Sequence, residues 1–156
     1  MIKRDKALKF LKEADFKAKL FSKDTKRKVG CIILEDESLI QLSSGYNGLP
    51  RKLKETKKRW LKQNKDYYVI HAETNAIIQA SRTNTNIKNS IMVCNRFPCH
   101  NCCMNLIQAG IKLLITVEPE WNNLSKKWKK SFIASKEILD ELKIEIMFFK
   151  ESELYK

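Results

Sequence analysis

The sequence predicts an α/β fold, a three-layer α/β/α sandwich around a mixed five-stranded sheet. In the second half of the chain, short apolar runs of strand length alternate with longer segments of helical periodicity. An order of strand, helix, strand, helix and strand implies parallel pairing with right-handed crossovers. In the first half, two apolar runs separated by a short polar turn predict a hairpin, so the sheet contains both kinds of pairing.

The first half of the chain begins with a packing helix over residues 5–21. Apolar residues at helical spacing predict it, with lysines on the other face, and the expected buried set is Ala7, Phe10, Leu11, Ala14, Ala18 and Phe21. A polar loop over residues 22–27 leads to a buried strand over residues 29–34. Residues 36–38 form a turn, and residues 39–44 return as the second strand.

The second half of the chain supplies the remaining helices and strands. We expect a helix over residues 71–83, a helix from Pro98 to Gln108 that ends at Gly110, and a helix over residues 124–142. Strands are expected over residues 91–94, 111–117 and 144–149. The side chains expected to point inward are Ala76, Ile77 and Ala80 on the first helix, and Leu124, Trp128, Phe132, Leu139 and Leu142 on the last.

The composition is typical of one folded domain over residues 1–156, with 43% hydrophobic residues and room for a sizeable core. No apolar run reaches the ~18 to 20 residues of a membrane span. The first residues do not resemble the apolar core of a secretory signal. The five cysteines form an odd set, which indicates thiols in a reducing compartment. We expect a soluble protein without a membrane partner, located in the cytoplasm or in a nucleus reached from it.

The chain is strongly basic, with a net charge of +13 from 31 lysines and arginines against 18 acidic residues. Such a charge attracts nucleotides, nucleic acids or acidic surfaces, and a lysine-rich solvated surface explains it equally well. A basic insert at about residues 51–68 concentrates it, with eight cationic residues against two acidic ones between residues 51 and 66. Trp60 and Leu61 predict a short helix there with one buried edge. We favour a solvated flap for the insert; the alternative is that its lysines steer a phosphate.

Two short motifs carry the chemistry, His71-Ala72-Glu73 and Pro98-Cys99-His100-Asn101-Cys102. The histidine and the two cysteines can supply three ligands to Zn2+, and Glu73 can carry protons without binding the metal. Structural zinc sites usually close with four protein ligands, whereas a hydrolytic site keeps three and leaves the fourth position for water. The inventory therefore predicts a catalytic zinc site.

The spacing of the second motif supports this prediction. If Pro98 immediately precedes a helix, Cys99 and Cys102 share one face of its first turn, where the helix dipole favours thiolates. A lone C-x-x-C could also be a redox pair, but the upstream His-Ala-Glu and the single cysteine pair argue against redox chemistry and against a four-cysteine knuckle. With only two histidines in the chain, an H-E-x-x-H protease site is impossible.

Several other residues have a simple structural interpretation. Asn47, in the turn over residues 45–51, fits a position that tolerates positive φ. His100 is expected to point away from the ligand cysteines. Trp121 is as compatible with surface packing as with covering the substrate. Small buried residues account for the remaining cysteines, Cys31, Cys94 and Cys103.

The H-x-E and P-C-x-x-C motifs resemble those of the zinc-dependent cytidine and deoxycytidylate deaminase superfamily. Within it, the chain is most similar to deoxycytidylate (dCMP) deaminases, on residues 28–31, 45–51 and 71–77 and on the long insert before the histidine. These segments spread the resemblance over about residues 5–149. It implies a cytidine deaminase-like fold and the hydrolysis of dCMP to dUMP and ammonia, which supplies dUMP for thymidylate synthesis.

The resemblance also implies roles for individual residues. Zn2+ is expected on His71, Cys99 and Cys102, where it lowers the pKa of a bound water to roughly 7. Glu73 then carries a proton from that water to a ring nitrogen and later to the departing ammonia. The expected contacts of the nucleotide are Asn47 with the sugar 3′-hydroxyl, Ser22 and Lys23 near the phosphate, and Ala72 as a further substrate contact.

Some positions depart from the pattern of dCMP deaminases. Lys52 stands where many relatives carry glycine, in the region that senses dCTP and dTTP, so feedback by these nucleotides and the accompanying hexameric homo-oligomer stay open. Cys103 replaces a frequent alanine, and Thr116 followed by Trp121 replaces a tyrosine. Two rival functions also stay open. One is a polynucleotide deaminase acting on tRNA adenosine or cytidine, which suits the charge of +13. The other is a non-enzymatic zinc-stabilised binding domain, which would have no need of Glu73.

Overall fold

The computed structural model describes residues 2–155, and its centre is a mixed five-stranded sheet with the strand order β2-β1-β3-β4-β5. The strands are β1 (Gly30–Leu34), β2 (Gln41–Tyr46), β3 (Ile91–Cys94), β4 (Leu113–Val117) and β5 (Glu145–Phe149). β1 pairs antiparallel with both β2 and β3, whereas β3, β4 and β5 are mutually parallel. The predicted hairpin, the parallel half and the mixed sheet are confirmed.

Helices cover both faces of this sheet. They are α1 (Arg4–Phe21), α2 (Lys57–Trp60), α3 (Lys65–Tyr68), α4 (Ala72–Arg82), α5 (His100–Gln108) and α6 (Lys126–Glu141), with 3-10 turns at Trp121–Asn123 and Glu151–Tyr155. Helix α1 packs on one face through a core that joins Leu11 to Ile32 and Ile115. The second core joins α4, α5 and α6 to the opposite face through residues such as Leu106 and Leu114. The predicted three-layer sandwich is confirmed.

Two glycines let helices lie directly on the sheet. A Cβ on Gly30 would lie 2.0 Å from the Ala14 carbonyl oxygen of α1. A Cβ on Gly45 would lie 2.4 Å from the Ala72 carbonyl oxygen and 2.5 Å from the Ala76 nitrogen of α4. Because α4 begins right after His71, the close approach of α4 to Gly45 helps to set the position of the His71 imidazole.

Two strand boundaries differ from the sequence prediction for local reasons. The second strand begins at Gln41 and not at residue 39, because Leu39 has a φ of 58° and belongs to the turn. The fourth strand begins at Leu113, because the Ile111 N–H still donates to the Leu106 carbonyl at the end of α5. Gly110, with a φ of 82°, ends that helix as expected.

Several predicted burials are wrong at the ends of helices. Phe21 is 51% exposed and stacks on Tyr46 with ring centroids 5.5 Å apart. Leu142 follows the last turn of α6 and is 51% exposed. Phe10 and Ile77, in the middle of α1 and α4, are half-buried and pack against the two cores. The helical period predicts a side of the helix, but Phe21 and Leu142 lie at helix ends, where the opposing layer no longer covers them.

The basic insert forms two single-turn helices, α2 and α3, in which no residue is buried. The predicted buried edge is wrong, since Trp60 is half-buried and Leu61 is 46% exposed. Polar contacts hold the insert in place: Lys65 pairs with Asp24 at 2.6 Å, and Asp66 pairs with Lys127 of α6. Within residues 2–155, every helix is too short or too polar to cross a membrane.

Candidate active site

The three predicted metal ligands meet at the amino ends of two helices. His71 is the residue that precedes α4, Cys99 precedes α5, and Cys102 lies in the first turn of α5. The Sγ atoms of Cys99 and Cys102 each lie 3.4 Å from Nδ1 of His71. The helix starts predicted from Pro98 and from the His-Ala-Glu motif therefore bring the three side chains into one cluster.

The geometry of the cluster fits a zinc ion. Zinc bonds of about 2.3 Å to sulfur and 2.0–2.1 Å to nitrogen in a tetrahedral arrangement separate sulfur from nitrogen by about 3.6 Å. The observed separations of 3.4 Å agree with this value, and all three ligand atoms lie within 4.8 Å of one another. Two thiolates and one imidazole are also the soft and borderline donors that zinc prefers.

The environment of the Cys99 thiol favours metal binding. Hydrogen bonds from Cys102 and from His71 lower the pKa of the Cys99 thiol, so a thiolate is stabilised there. The Thr74 hydroxyl lies 3.7 Å from the Cys102 sulfur, and Asn105 Nδ2 donates to that hydroxyl at 3.2 Å. Sequence reasoning missed Thr74 and Asn105; the available signal was the position of Thr74 three residues after His71, on the same side of α4.

Glu73 stands beside the ligands with its carboxyl group removed from bulk water. The residue is 3% exposed, and this burial raises the pKa of the Glu73 carboxyl to about 6 against the opposing attraction of His71. Within the described part of the chain, the metal-ligand cluster contains His71, Cys99 and Cys102 and does not include Glu73. A buried carboxyl group that does not serve as a ligand is free to accept and donate a proton.

The site opens into a cavity of about 320 Å³. His71, Glu73 and Cys99 line it, together with the aromatic rings of Phe97, Phe132 and Trp128. A cavity of this size, lined by apolar side chains together with several charged ones, is large enough to hold a small molecule. The same cavity contains two of the predicted substrate contacts, Asn47 and Ala72.

The side chain of Asn47 is mostly used inside the protein. Its Oδ1 accepts hydrogen bonds from the Ser22 hydroxyl at 2.6 Å and from the Val29 N–H at 2.8 Å, and its Nδ2 donates to the Arg27 carbonyl at 2.8 Å. Ser22 is buried and lies outside the cavity lining, and Lys23 pairs with Glu55 outside it as well. The structure thus places Asn47 at the cavity but does not bring the Ser22 and Lys23 side chains into its wall.

The remaining singled-out residues have structural surroundings. His100 is exposed, and its Nδ1 lies 2.9 Å from the Ser131 hydroxyl. Cys31, Cys94 and Cys103 are buried free thiols. Trp121 packs on Phe97 with ring centroids 6.4 Å apart and is outside the cavity lining, where Trp128 takes the place proposed for it.

Sequence reasoning also missed the charged groups around the cavity. Arg27, Lys65 and Arg96 all line it, and they come from three separate segments of the chain. Lys65 is bound to Asp24, and Arg96 pairs with Glu151 at 2.9 Å. Asp24 in turn accepts from the N–H groups of Lys26 and Arg27, which gives the loop after α1 its shape.

The fold is an α/β sandwich, and the three-ligand cluster beside a buried carboxyl group, at the amino ends of α4 and α5, has the composition typical of a hydrolytic zinc site. Residues 4–118 match the family model for the cytidine and deoxycytidylate deaminase zinc-binding region, and the chain belongs to this family of zinc-binding deaminases. The family predicted from the two motifs is confirmed. The zinc cofactor is supported by the family and by the ligand cluster alike.

Known proteins similar to the chain include deoxycytidylate deaminases. A probable deoxycytidylate deaminase of Caenorhabditis elegans is 35% identical over 129 residues, which cover 80% of this chain and 60% of that protein. The human deoxycytidylate deaminase is 34% identical over 108 residues, covering 65% of this chain and 59% of that protein. The chain therefore spans about three fifths of the length of these two relatives.

A solved structure shares the fold. The crystal structure of dCMP deaminase from the cyanophage S-TIM5, in complex with dCMP and dUMP, superposes with a TM-score of 0.75 at 22% sequence identity. The superposition covers 96% of this chain and 100% of that chain. The predicted cytidine deaminase-like fold is thereby confirmed.

Proposed function

We propose that the protein is a zinc-dependent dCMP deaminase, which hydrolyses dCMP to dUMP and ammonia. The observation that carries this proposal is the buried Glu73 beside a three-ligand centre that borders a cavity of about 320 Å³. The similarity to deoxycytidylate deaminases of the worm and of man, at 35% and 34% identity, supports dCMP as the substrate.

The residues of the chain have separate tasks in this reaction. His71, Cys99 and Cys102 would hold the zinc ion, which when bound supplies a Lewis acid that activates water near neutral pH. Glu73 accepts one proton from the attacking water and delivers it to the ring nitrogen of the cytosine; it then accepts the second proton of that water and delivers it to the amino group, which leaves as ammonia. The aromatic wall of Phe97, Phe132 and Trp128 excludes bulk water from the pyrimidine ring. Asn47 Nδ2 donates one of its two hydrogens to the Arg27 carbonyl, and the other donates to the sugar of the substrate.

Ammonia release by the zinc-loaded protein tests the proposal. The substrates are dCMP, deoxycytidine, dCTP and an RNA stem-loop of anticodon type, assayed side by side. We expect dCMP to be turned over fastest, with dUMP as the product identified by chromatography. A zinc-loaded protein that releases no ammonia from dCMP contradicts the proposal. Size measurements and assays with added dCTP or dTTP extend the same experiment to the proposed homo-oligomer and its regulation.

A specific surface favours one second candidate, deamination of a polynucleotide. A groove of about 450 Å³ starts at His71 and Cys99 and passes Lys127 and Lys130 of α6, which could bind a phosphate backbone. Against it stands the charge of the cavity itself, where six carboxylates face four cationic side chains despite the net charge of +13. Ammonia release from the RNA stem-loop, falling steeply with added salt, is the result expected of this candidate.

A further inference from the structure

A hydroxyl group of α4 contacts one of the two ligand sulfurs. The Thr74 Oγ1 lies 3.7 Å from the Sγ of Cys102. Asn105, three residues after Cys102 in α5, donates from Nδ2 to the same hydroxyl at 3.2 Å. The contacts therefore run from α5 to α4 and back to a metal ligand of α5. Neither Thr74 nor Asn105 is among the described residues that line the cavity, so both act at a distance from the substrate.

The hydrogen bonds of this chain of contacts have one consistent direction. An amide NH2 group donates and does not accept, so the Thr74 oxygen is the acceptor of the bond from Asn105, and its own hydrogen is left for another partner. Cys102 is a thiolate when it serves as a zinc ligand, and a thiolate has no hydrogen to donate. Thr74 is therefore the donor to the Cys102 sulfur.

In the described part of the chain, Thr74 does not make the bond that a threonine hydroxyl commonly makes in a helix. That bond goes to the carbonyl four residues earlier. For Thr74 this carbonyl belongs to Ile70, which lies before the start of α4 and accepts the Gly48 N–H at 3.0 Å. Thr83, at the other end of α4, does donate to the carbonyl of Gln79, at 3.1 Å. The position of Thr74 in the first turn leaves its hydroxyl for the sulfur.

We propose that Thr74, held by Asn105, is a positioning residue that donates a hydrogen bond to the Cys102 thiolate and limits how much charge this sulfur gives to the zinc ion. Groups that contact the ligands and not the metal orient those ligands and tune the metal, and hydrogen bonds to sulfur ligands are one such control. A thiolate that shares its charge with a donor gives less of it to the ion, which stays a stronger Lewis acid. The inference deepens the proposed function and rests on it for the effect on turnover.

The first test does not depend on turnover and uses proteins in which Co2+ replaces zinc. It compares Thr74→Val, which keeps the shape but loses the hydroxyl, with Thr74→Ser, which keeps the hydroxyl. We expect the sulfur-to-cobalt charge-transfer band of Thr74→Val to move to longer wavelength, because a sulfur without the hydrogen bond gives up an electron more readily. Thr74→Ser keeps the wild-type band. Thr83→Val makes the same substitution at the far end of α4 and serves as the matched control with an unchanged band.

The second test measures kcat and KM for dCMP in the zinc-saturated proteins. Thr74→Val is expected to lower kcat roughly tenfold and to leave KM as it was, because Thr74 does not line the cavity. Thr74→Ser restores kcat. Asn105→Ala, at an exposed position, acts in the same direction with a smaller effect, since the hydroxyl keeps its hydrogen but loses the bond that orients it.

The two tests separate this inference from the proposed function. An unchanged cobalt band in Thr74→Val overturns the role of Thr74, even where thermal stability falls, and so does a Thr74→Ser protein that behaves like Thr74→Val. In either case, wild-type turnover of dCMP keeps the proposed function. A wild type that leaves dCMP unchanged, while Thr74→Val shows the expected band shift, overturns the proposed function and keeps the hydrogen bond to Cys102.

Discussion

The Ser22 hydroxyl donates a hydrogen bond of 2.6 Å to the side-chain oxygen of Asn47, 25 residues away. Both residues are candidates for contact with the nucleotide, yet each uses its polar group on the other. Asn47 also holds the loop of residues 27–29 through the Val29 N–H and the Arg27 carbonyl. A change at either residue will therefore act on the shape of this loop as well as on any ligand.

The first prediction concerns this pair. Asn47→Ala removes three side-chain hydrogen bonds, each with a net value of about 1 kcal/mol, and we expect both a lower free energy of unfolding and a higher KM for dCMP. Urea unfolding of the two single variants and of Ser22→Ala/Asn47→Ala measures the coupling. A coupling energy of about 0.5 kcal/mol or more is expected for residues in direct contact; strictly additive effects would show that the bond has no energetic role.

A second prediction separates proton transfer from metal binding. Glu73→Gln keeps the buried shape but cannot carry a proton, so we expect kcat to fall roughly 10²- to 10⁴-fold. Zinc content and thermal stability stay close to wild type, because Glu73 is not part of the ligand cluster. Metal analysis and ammonia release on the same samples check this, with exposed Glu141→Gln as control. Full activity in Glu73→Gln would falsify the assigned role.

The third prediction concerns the metal ligands. Cys99→Ala removes one of three ligands, and we expect it to lose zinc and thermal stability together, since metal binding is coupled to the folded state. Cys103→Ala is the matched control, because that thiol is buried against the Ser135 carbonyl and is not a ligand. A chelator should lower the melting temperature of the wild type and of Cys103→Ala but not of Cys99→Ala.

A fourth prediction tests the close approach of helix and sheet. In Gly45→Ala the new Cβ would lie 2.4 Å from a backbone oxygen of α4, so α4 must shift and the free energy of unfolding should fall by about 1–3 kcal/mol. Activity should fall further than stability alone explains, because α4 positions His71 and Glu73. Gly48→Ala meets its nearest neighbour at 3.4 Å and should be tolerated. Equal behaviour of the two variants in urea unfolding would contradict the argument.

The fifth prediction is a dependence of stability on pH. The pKa of Asp24 is lowered: its own burial opposes this, but hydrogen bonds from Lys65 and from the Lys26 and Arg27 N–H groups prevail. The stability that the ionised carboxylate contributes is present above the ordinary carboxyl pKa of about 4 and is lost as the pH falls through the lowered value. We expect Asp24→Asn to be less stable by about 2 kcal/mol at neutral pH. The difference from wild type should shrink below about pH 4, whereas Asp66→Asn, in an exposed pair, should differ little throughout.

The cysteine half of the candidate metal cluster could be anticipated from the sequence because its signal is local. Pro98 marks the start of α5 and the spacing of Cys99 and Cys102 fits one turn, whereas the meeting with His71, 28 residues before Cys99, depends on how α4 packs beside α5. The alternation of strand-length apolar runs with helical segments was likewise sufficient to predict the mixed five-stranded sheet. Burial at Phe21 and Leu142 was mispredicted because a helical period does not say where the opposing layer stops.

The charged surroundings of the cavity could not be predicted from the sequence. Asp24 and Lys65 are 41 residues apart, and Arg96 pairs with Glu151 from a much later part of the chain. Such pairs depend on how the helices and strands pack together, and no local sequence pattern predicts them. In the basic insert, eight cationic residues between residues 51 and 66 look alike in sequence, yet Lys65 alone among them lines the cavity.

Asn95 follows β3 and joins helix α1 to strand β1. Its Nδ2 donates to Asp15 of α1 at 2.9 Å, and its Oδ1 accepts from the Gly30 N–H at 2.9 Å. The next residues along the chain are Arg96, Phe97 and Pro98, which lead to the first cysteine ligand. Helix α1 therefore helps to hold residues 95–98, which lead to Cys99. Random mutagenesis screened for lost activity should recover substitutions of Asp15, although α1 contributes no residue to the cavity.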